Sequence, residues 1–309
     1  MKKGHISEAL QLNIEGHKSI EFVDIALNRD NELFIDPLLI EKKPGEWSKQ
    51  ANECIKSFFD NFYDAYRMDD NERKSILLSH AREQNATKFG YGNGSNGKGN
   101  TANGLLETFR PLEDLINRIS TIGNPEDLPV LIPGFAEDGL SDLLTNILHN
   151  LLNDYTLDVI KKYKRIPDGT ISFHYWDVLT SSWKEIEKPA LLVNGKEILL
   201  VPKDIVRHRY LFGVNQYFSR VILERMREAG EYRDAKGDPL SKKDIIKSKG
   251  YSGDHWKYDE SIQYTIDNND ALEEYHSKLP RYYLEYGKPM TDEELDLQIY
   301  GMKEERKLI

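Results

Sequence analysis

Residues 169–201 read GTISFHYWDVLTSSWKEIEKPALLVNGKEILLV, and their period of two sets the fold class. Ile171, Phe173 and Tyr175 alternate with Ser172, His174 and Trp176, the pattern of a strand with one face on a core. Residues 183–186 and 191–193 predict two further strands. Asn194-Gly195 predicts a tight two-residue turn, because both residues accept positive φ at little cost. Residues 198–201 then return as a last arm that Pro202 closes. The expectation is a central antiparallel β-meander, with residues 201–204 beside 171–177 in one sheet.

The segments upstream of this meander read as helices and a hairpin. Phe22, Val23, Ile25 and Leu27, then Asn28-Arg29-Asp30-Asn31, then Leu33, Phe34 and Ile35 predict an N-terminal hairpin within residues 20–40. Ala51, Cys54, Ile55, Phe58, Phe59, Phe62 and Tyr66 recur at spacings of three and four, which predicts a helix over 47–68. Asp69-Asp70-Asn71 supplies a cap for a second helix to about His80. Residues 105–119 predict a helix with a boundary or kink at Pro111, residues 128–132 a short strand, and residues 139–164 one long helix.

Beyond Lys203 the chain is charged and helical. Helices are expected over 217–229, from about Ser241, over 270–278 and over 291–303, the last with Thr291 and Glu294 in capping-box spacing. The whole reads as a mixed α/β (α+β) protein. Residues 1–204 form its core, with a Gly/Asn-rich loop at 90–104, and residues 205–309 form a charged helical region packed on that core.

Composition excludes several classes. The chain has 309 residues, 30% of them charged, and a net charge of −10. That balance argues against a protein that coats nucleic acid through a general basic surface, while a local groove or metal-mediated contact remains open. The single cysteine, Cys54, excludes an intramolecular disulfide and a cysteine-rich zinc site. No apolar run approaches the roughly 20 residues of a membrane span, and no signal peptide follows Met1-Lys2-Lys3. A soluble cytoplasmic protein without membrane partners is expected.

Gly90 to Gly104 read GYGNGSNGKGNTANG. Residues 92–98 fit the first seven positions of G-x-x-x-x-G-K, but Gly99 stands where Ser or Thr would hold magnesium, and no buried strand precedes the segment. A nucleoside-triphosphatase is therefore not expected. A looser role is open, in which Gly94, Gly97, Lys98 and Gly99 hold a phosphate or nucleic-acid backbone and the segment orders on that ligand. A mobile loop with no ligand is the alternative.

Glu137-Asp138-Gly139-Leu140-Ser141-Asp142 opens an apolar helix. Capping and the helix dipole account for one or two of these acids. Asp138 and Asp142, four apart, share a face and can hold a divalent metal. Asp36, in Phe34-Ile35-Asp36-Pro37, is a strand-end acid or ordinary turn chemistry. Lys203, after Leu199-Leu200-Val201-Pro202, occupies the lysine position of the acid-x-lysine pair of metal-dependent nucleases. Val201 stands at the acid position, so Asp177 or Glu197 would substitute. The eight histidines lack helical metal-ligand spacing.

Four stretches together resemble a family of largely uncharacterised bacterial proteins associated with mobile and anti-phage defence regions: FIDP at 34–37, EQN at 83–85, EDGLSDLLTNIL at 137–148 and LLVPKD at 199–204. The resemblance implies a defence role and permits a nuclease-like core. Two functions follow as expectations. One is a defence effector cutting nucleic acid with magnesium or manganese (Mg2+ or Mn2+), with Asp138 and Asp142 on the metal, Asp177 or Glu197 completing the site and Lys203 on the water or phosphate. The other is a non-catalytic sensor or adaptor that binds a partner protein or phage component.

Overall fold

The computed structural model describes residues 4–83, 85–91 and 101–301. The fold is α+β: about 52% helix and 12% strand, with the strands confined to small antiparallel pairs. Helices therefore carry the core. In chain order the elements are α1 (Ile6–Ala9), β1 (Phe34–Ile35), α2 (Pro37–Lys42), α3 (Glu46–Arg67), α4 (Asn71–Leu78), α5 (Ala102–Thr108), α6 (Leu112–Arg118), α7 (Asp127–Leu131), α8 (Glu137–Ile147) and α9 (His149–Lys162). There follow β2 (Gly169–Asp177), β3 (Ser182–Ala190), β4 (Leu192–Val193), β5 (Lys196–Glu197), β6 (Val206–Arg207), α10 (Val214–Tyr217), α11 (Leu223–Glu228), α12 (Lys242–Lys249), α13 (Trp256–Asp267), α14 (Asp270–Tyr286) and α15 (Asp292–Tyr300).

The central helix is α3. Its periodic face buries Ala51, Ile55, Phe58, Phe59, Phe62 and Tyr66. Phe58 meets Trp176 of β2 edge-on at 5.1 Å, and Phe62 meets Phe109 at 5.3 Å, so one helix face joins the β2–β3 hairpin to the α5–α6 region. Asp70 caps α4 through the amide of Arg73 at 2.9 Å. The β2–β3 hairpin is paired over its full length, from Gly169 against Ala190 to Asp177 against Ser182. Asn194 and Gly195 take φ of 54° and 74°, so the β4–β5 turn forms as expected.

The meander does not close into one sheet. β2–β3, β4–β5 and β1–β6 are separate two-stranded pairs. Residues 199–203 bond elsewhere: the Leu199 amide donates to Ala86, Leu200 to Thr156 Oγ1 and Lys203 to Glu21, while the Val201 carbonyl accepts from Val23. The sheet that would place residues 201–204 beside 171–177 is absent, and with it the nuclease-like topology.

Other expectations need the same kind of correction. The N-terminal hairpin is replaced by long-range pairing: Phe34 and Ile35 pair with Arg207 and Val206, and Phe22 bridges to Pro202. Asn31 closes the intervening turn with its side chain, Oδ1 accepting from the Ala26 amide and Nδ2 donating to the Ala26 and Lys88 carbonyls. Residues 127–131 form a helical turn, not a strand; so short an apolar run carries no decisive period. The long helix expected over 139–164 divides at Leu148, whose ψ of 6° separates α8 from α9. Asn146 and His149 anchor the two sides of that break, to the Arg82 carbonyl at 2.6 Å and to Glu197 at 2.9 Å. Ala102 to Gly104 belong to α5, capped by Thr101, so the Gly/Asn-rich loop ends earlier than its composition suggests. α14 runs through Pro280 to Tyr286, well past residue 278.

Helices beyond residue 205 share the core. One continuous apolar cluster includes Phe34, Leu144 and Val201 together with Tyr217, Leu272 and Leu295. α15 folds back on the first residues. Asp24 is buried and accepts from the amide and hydroxyl of Ser7, both at 2.7 Å, and from Tyr300 Oη at 2.7 Å. His17 Nδ1 lies 2.6 Å from Asp296, and its Nε2 accepts from the Asp24 amide.

Candidate functional site

The candidate metal ligands begin on a ledge made by the first turn of α8 and the residues leading into the Gly/Asn segment. Asp138 stands so close to Gly90 that a Cβ there would lie 2.9 Å from its Oδ1; Gly90 also has φ +136°, which a side chain would strain. Tyr91 Oη donates to Glu137 at 3.1 Å, and its ring packs 4.8 Å from Phe34. The Ile35 amide donates to Ser141 Oγ at 3.0 Å, which fixes β1 against α8. Burial raises the Asp138 pKa, and the carboxylates of Glu83, Asp30 and Glu137 raise it further. Asp142 lies one turn along the same helix, where its charge helps to push up the buried Tyr210 hydroxyl.

The remaining site residues point elsewhere. Asp177 closes the β2–β3 turn through Thr180 and pairs with Lys184 at 2.8 Å; these contacts hold its pKa low. Glu197 accepts from His149 Nε2 at 2.9 and 3.1 Å, and the His149 ring stacks on Phe173. Lys203 donates to the His17 carbonyl at 2.7 Å and to Asp292 at 2.6 Å, tying the start of α15 to the N-terminal segment. Gly94, Gly97, Lys98 and Gly99 lie outside the described residues. Thus Asp138 and Asp142 share a helix, while Asp177, Glu197 and Lys203 are each engaged on different elements. Among the described residues no group of three or more His, Cys, Asp or Glu is arranged to hold a metal ion, so the expected magnesium or manganese site is not assembled there.

A second constellation was not legible as a site. Asp36 is fully buried at the start of α2, where Oδ1 accepts from the Leu38 amide at 2.9 Å. Its Oδ2 accepts from Tyr283 at 2.8 Å and lies 3.1 Å from Arg207 Nε. Burial raises its pKa to about 6, although Tyr283, Arg207 and the two helix amides each pull it down. Nearby, Asp127 accepts from the Gly123 and Asn124 amides, both at 2.8 Å, and faces His276 Nε2 at 2.6 Å. Burial lowers the His276 pKa, but Asp127, with Glu126 and Glu273 beyond it, reverses the sign and raises it. Glu126, 5% exposed, has no side-chain partner among the described residues and accepts only from its own amide. Burial, with Asp127 and Asp36 adding to it, raises its pKa to about 8.

Glu126 and His276 line a cleft of about 320 Å³ between α2, α3, residues 123–126 and α14. The sequence signal was faint: two consecutive acids after Pro125 in an otherwise apolar run, and a histidine about 150 residues later with no motif around it. A wider groove, about 960 Å³, lies between the N-terminal segment and α15 and includes Asp24, Asp296 and Tyr300.

The fold and these sites define an α+β protein with an acidic ledge beside a glycine-rich segment and a separate buried acid–histidine cleft. The chain belongs to the family described as a domain of unknown function, DUF8370, which it matches over residues 11–212. No curated protein matches it. No solved structure matches it. The matched region holds the ledge, Asp36, Glu126 and Asp127; His276, Tyr283 and α15 lie beyond it. No helix among the described residues is long and apolar enough to cross a membrane.

Proposed function

We propose that this protein is a non-catalytic sensor or adaptor of a bacterial defence system, and that it engages a cationic surface of a partner protein or phage component at the ledge beside Gly90 and Tyr91. The observation that carries this reading is the packing of two motif-bearing stretches, 34–37 and 137–148, against each other beside Tyr91. The Ile35 amide bonds Ser141, Phe34 packs on Tyr91, Asp36 bonds the Ile205 carbonyl through its amide, and the Leu199 amide bonds Ala86. Burial disfavours the Asp138 charge there, and Glu83, Asp30 and Glu137 lie close enough to disfavour it further, a cost that a cationic partner removes. The metal-nuclease reading retains only Asp138 and Asp142 of its five catalytic and metal residues and lacks its sheet.

Two measurements test the proposal. Purified protein incubated with DNA or RNA and magnesium or manganese is expected to leave both intact. Cleavage that disappears in Asp142→Ala would restore the nuclease reading. In the native host, Asp138→Lys is expected to abolish protection from phage while leaving the melting temperature near wild type. Protection that persists in this variant removes the ledge from the mechanism.

A further inference from the structure

The Glu126 cleft stands apart from the ledge, and nothing in the proposed function uses it. Its lining includes the Glu126 carboxyl, which is 5% exposed and has no side-chain partner among the described residues. A buried polar group left unmatched is costly, so such a group facing a cavity marks where a ligand donor fits. Leu38 from α2, Ile55 and Phe59 from α3, and Leu279 from α14 give the walls their apolar part, and Asn52, Asn124 and His276 add polar surface. The rim carries Glu41 and Asp60, with Lys56 3.6 Å from Glu41. On the α14 side, Pro280 has no amide to give to the carbonyl of His276 four residues earlier, so that acceptor lacks its helical donor.

We propose that this cleft binds an organic cation of the guanidinium class, with Glu126 as its counter-charge. A planar guanidinium matches the carboxyl with parallel N–H donors, and its weakly hydrated faces suit aromatic and aliphatic walls. A bare metal ion fits poorly: no donor set for one exists among the described residues, and hard cations need six or more oxygens. An anion would meet Glu41, Asp60 and Glu126 together. The cavity lies at the small end of ligand-site volumes, which matches a single guanidinium with a short stem. Such a group reaches the cleft either as a free small molecule or as the arginine side chain of a peptide.

The charge balance gives the test its sign. The charged and titratable groups around Glu126 are Asp36 beside α2, Glu41 of α2, Lys56, Asp60 and Tyr63 of α3, Asp127 of α7, and Glu273, Tyr275, His276 and Tyr283 of α14. Of these, Lys56 and His276 oppose a cation; Glu41, 3.6 Å away, balances Lys56, and Asp127, 2.6 Å away, balances His276. Without ligand, Glu126 holds its proton up to about pH 8. A bound cation displaces that proton, so affinity rises with pH through that value and binding releases protons.

The experiment is calorimetric titration of the full chain with agmatine, and separately with an acetyl-Gly-Arg-Gly-amide peptide. Both are run from about pH 6.5 to about pH 9 in buffers of different ionisation enthalpy. Binding that tightens with pH, releases protons and weakens at least about tenfold in Glu126→Gln is the expected result. Agmatine alone binding identifies a free metabolite; the peptide binding more tightly identifies a protein arginine. Glu126→Gln imitates the protonated acid, so its melting temperature is expected to stay at or above wild type. Should that variant not fold, proton release by the wild type and the weaker binding expected of Asp60→Asn still decide the matter. No heat from either probe up to about 10 mM, binding that loosens as pH rises, or equal affinity in Glu126→Gln overturns the proposal.

Discussion

Glu126 and Asp127 are neighbours that burial treats differently. Asp127 receives two backbone amides and the His276 ring, whereas among the described residues Glu126 receives only its own amide. The His276 pKa is raised in the folded state above the roughly 6.5 of a free imidazole. Its contribution to stability is therefore fully present below about pH 6.5 and lost as pH rises through the raised value. Melting temperatures across this range should show wild type exceeding His276→Gln most at the acid end, with the gap narrowing as pH rises. A gap independent of pH would show that the ring acts by packing alone. Arg207 gives a second residue-scale prediction. Arg207→Leu removes the counter-charge of the buried Asp36 carboxylate, leaving it Tyr283 and the helix amides, and is expected to cost about 3–5 kcal/mol near pH 7.5. The cost should shrink below about pH 6, where Asp36 takes up a proton. Denaturant titrations at the two pH values read this directly. At Gly90, alanine would be strained at φ +136° and would press on Asp138; Gly90→Ala is expected to lose about 1–2 kcal/mol in stability. An unchanged denaturation midpoint would show that the ledge yields.

Elements governed by neighbours in sequence were legible in the chain. The apolar face of α3, the Asp70 cap of α4, the reciprocal bonds between Thr291 and Glu294 and the Asn194-Gly195 turn all depend on residues within a few positions of one another. The strand partners were not legible. Phe34 and Ile35 have no local preference for Val206 and Arg207, and the choice is made by packing that no pattern of period two encodes. The break at Leu148 was hidden for the same reason: α8 and α9 are both amphipathic, and the tether from Asn146 to Arg82 comes from elsewhere in the chain. Half of the ledge could be read from Asp138 and Asp142, since helical spacing places them, but their neighbours Glu83 and Asp30 come from distant loops. The β4–β5 turn supplies the element-scale prediction. Gly195→Val forces a β-branched residue into φ of 74° and is expected to cost about 1–2 kcal/mol. Chemical denaturation would show it as a lowered midpoint at constant slope.

At the scale of the molecule, the family boundary falls inside the core. A chain ended after Phe212 would strip Tyr283 from Asp36, His276 from Asp127, Asp296 from His17 and Tyr300 from Asp24. Such a chain is expected to lack a cooperative thermal transition and near-ultraviolet dichroism, because buried carboxyls would lose their donors as apolar surface opens. A sharp transition in the shortened chain would mean that residues 11–212 close on their own.

The grip of α15 on the N-terminal segment also has a consequence in time. Asp24 waits for the Tyr300 hydroxyl, 276 residues further on. At roughly 5–20 residues per second of synthesis the wait is roughly 14–55 s. Through that interval the emerging N-terminal segment lacks the helix that seats it, so on the ribosome it is open to chaperones and proteases. It becomes resistant only once α15 has been made and has docked.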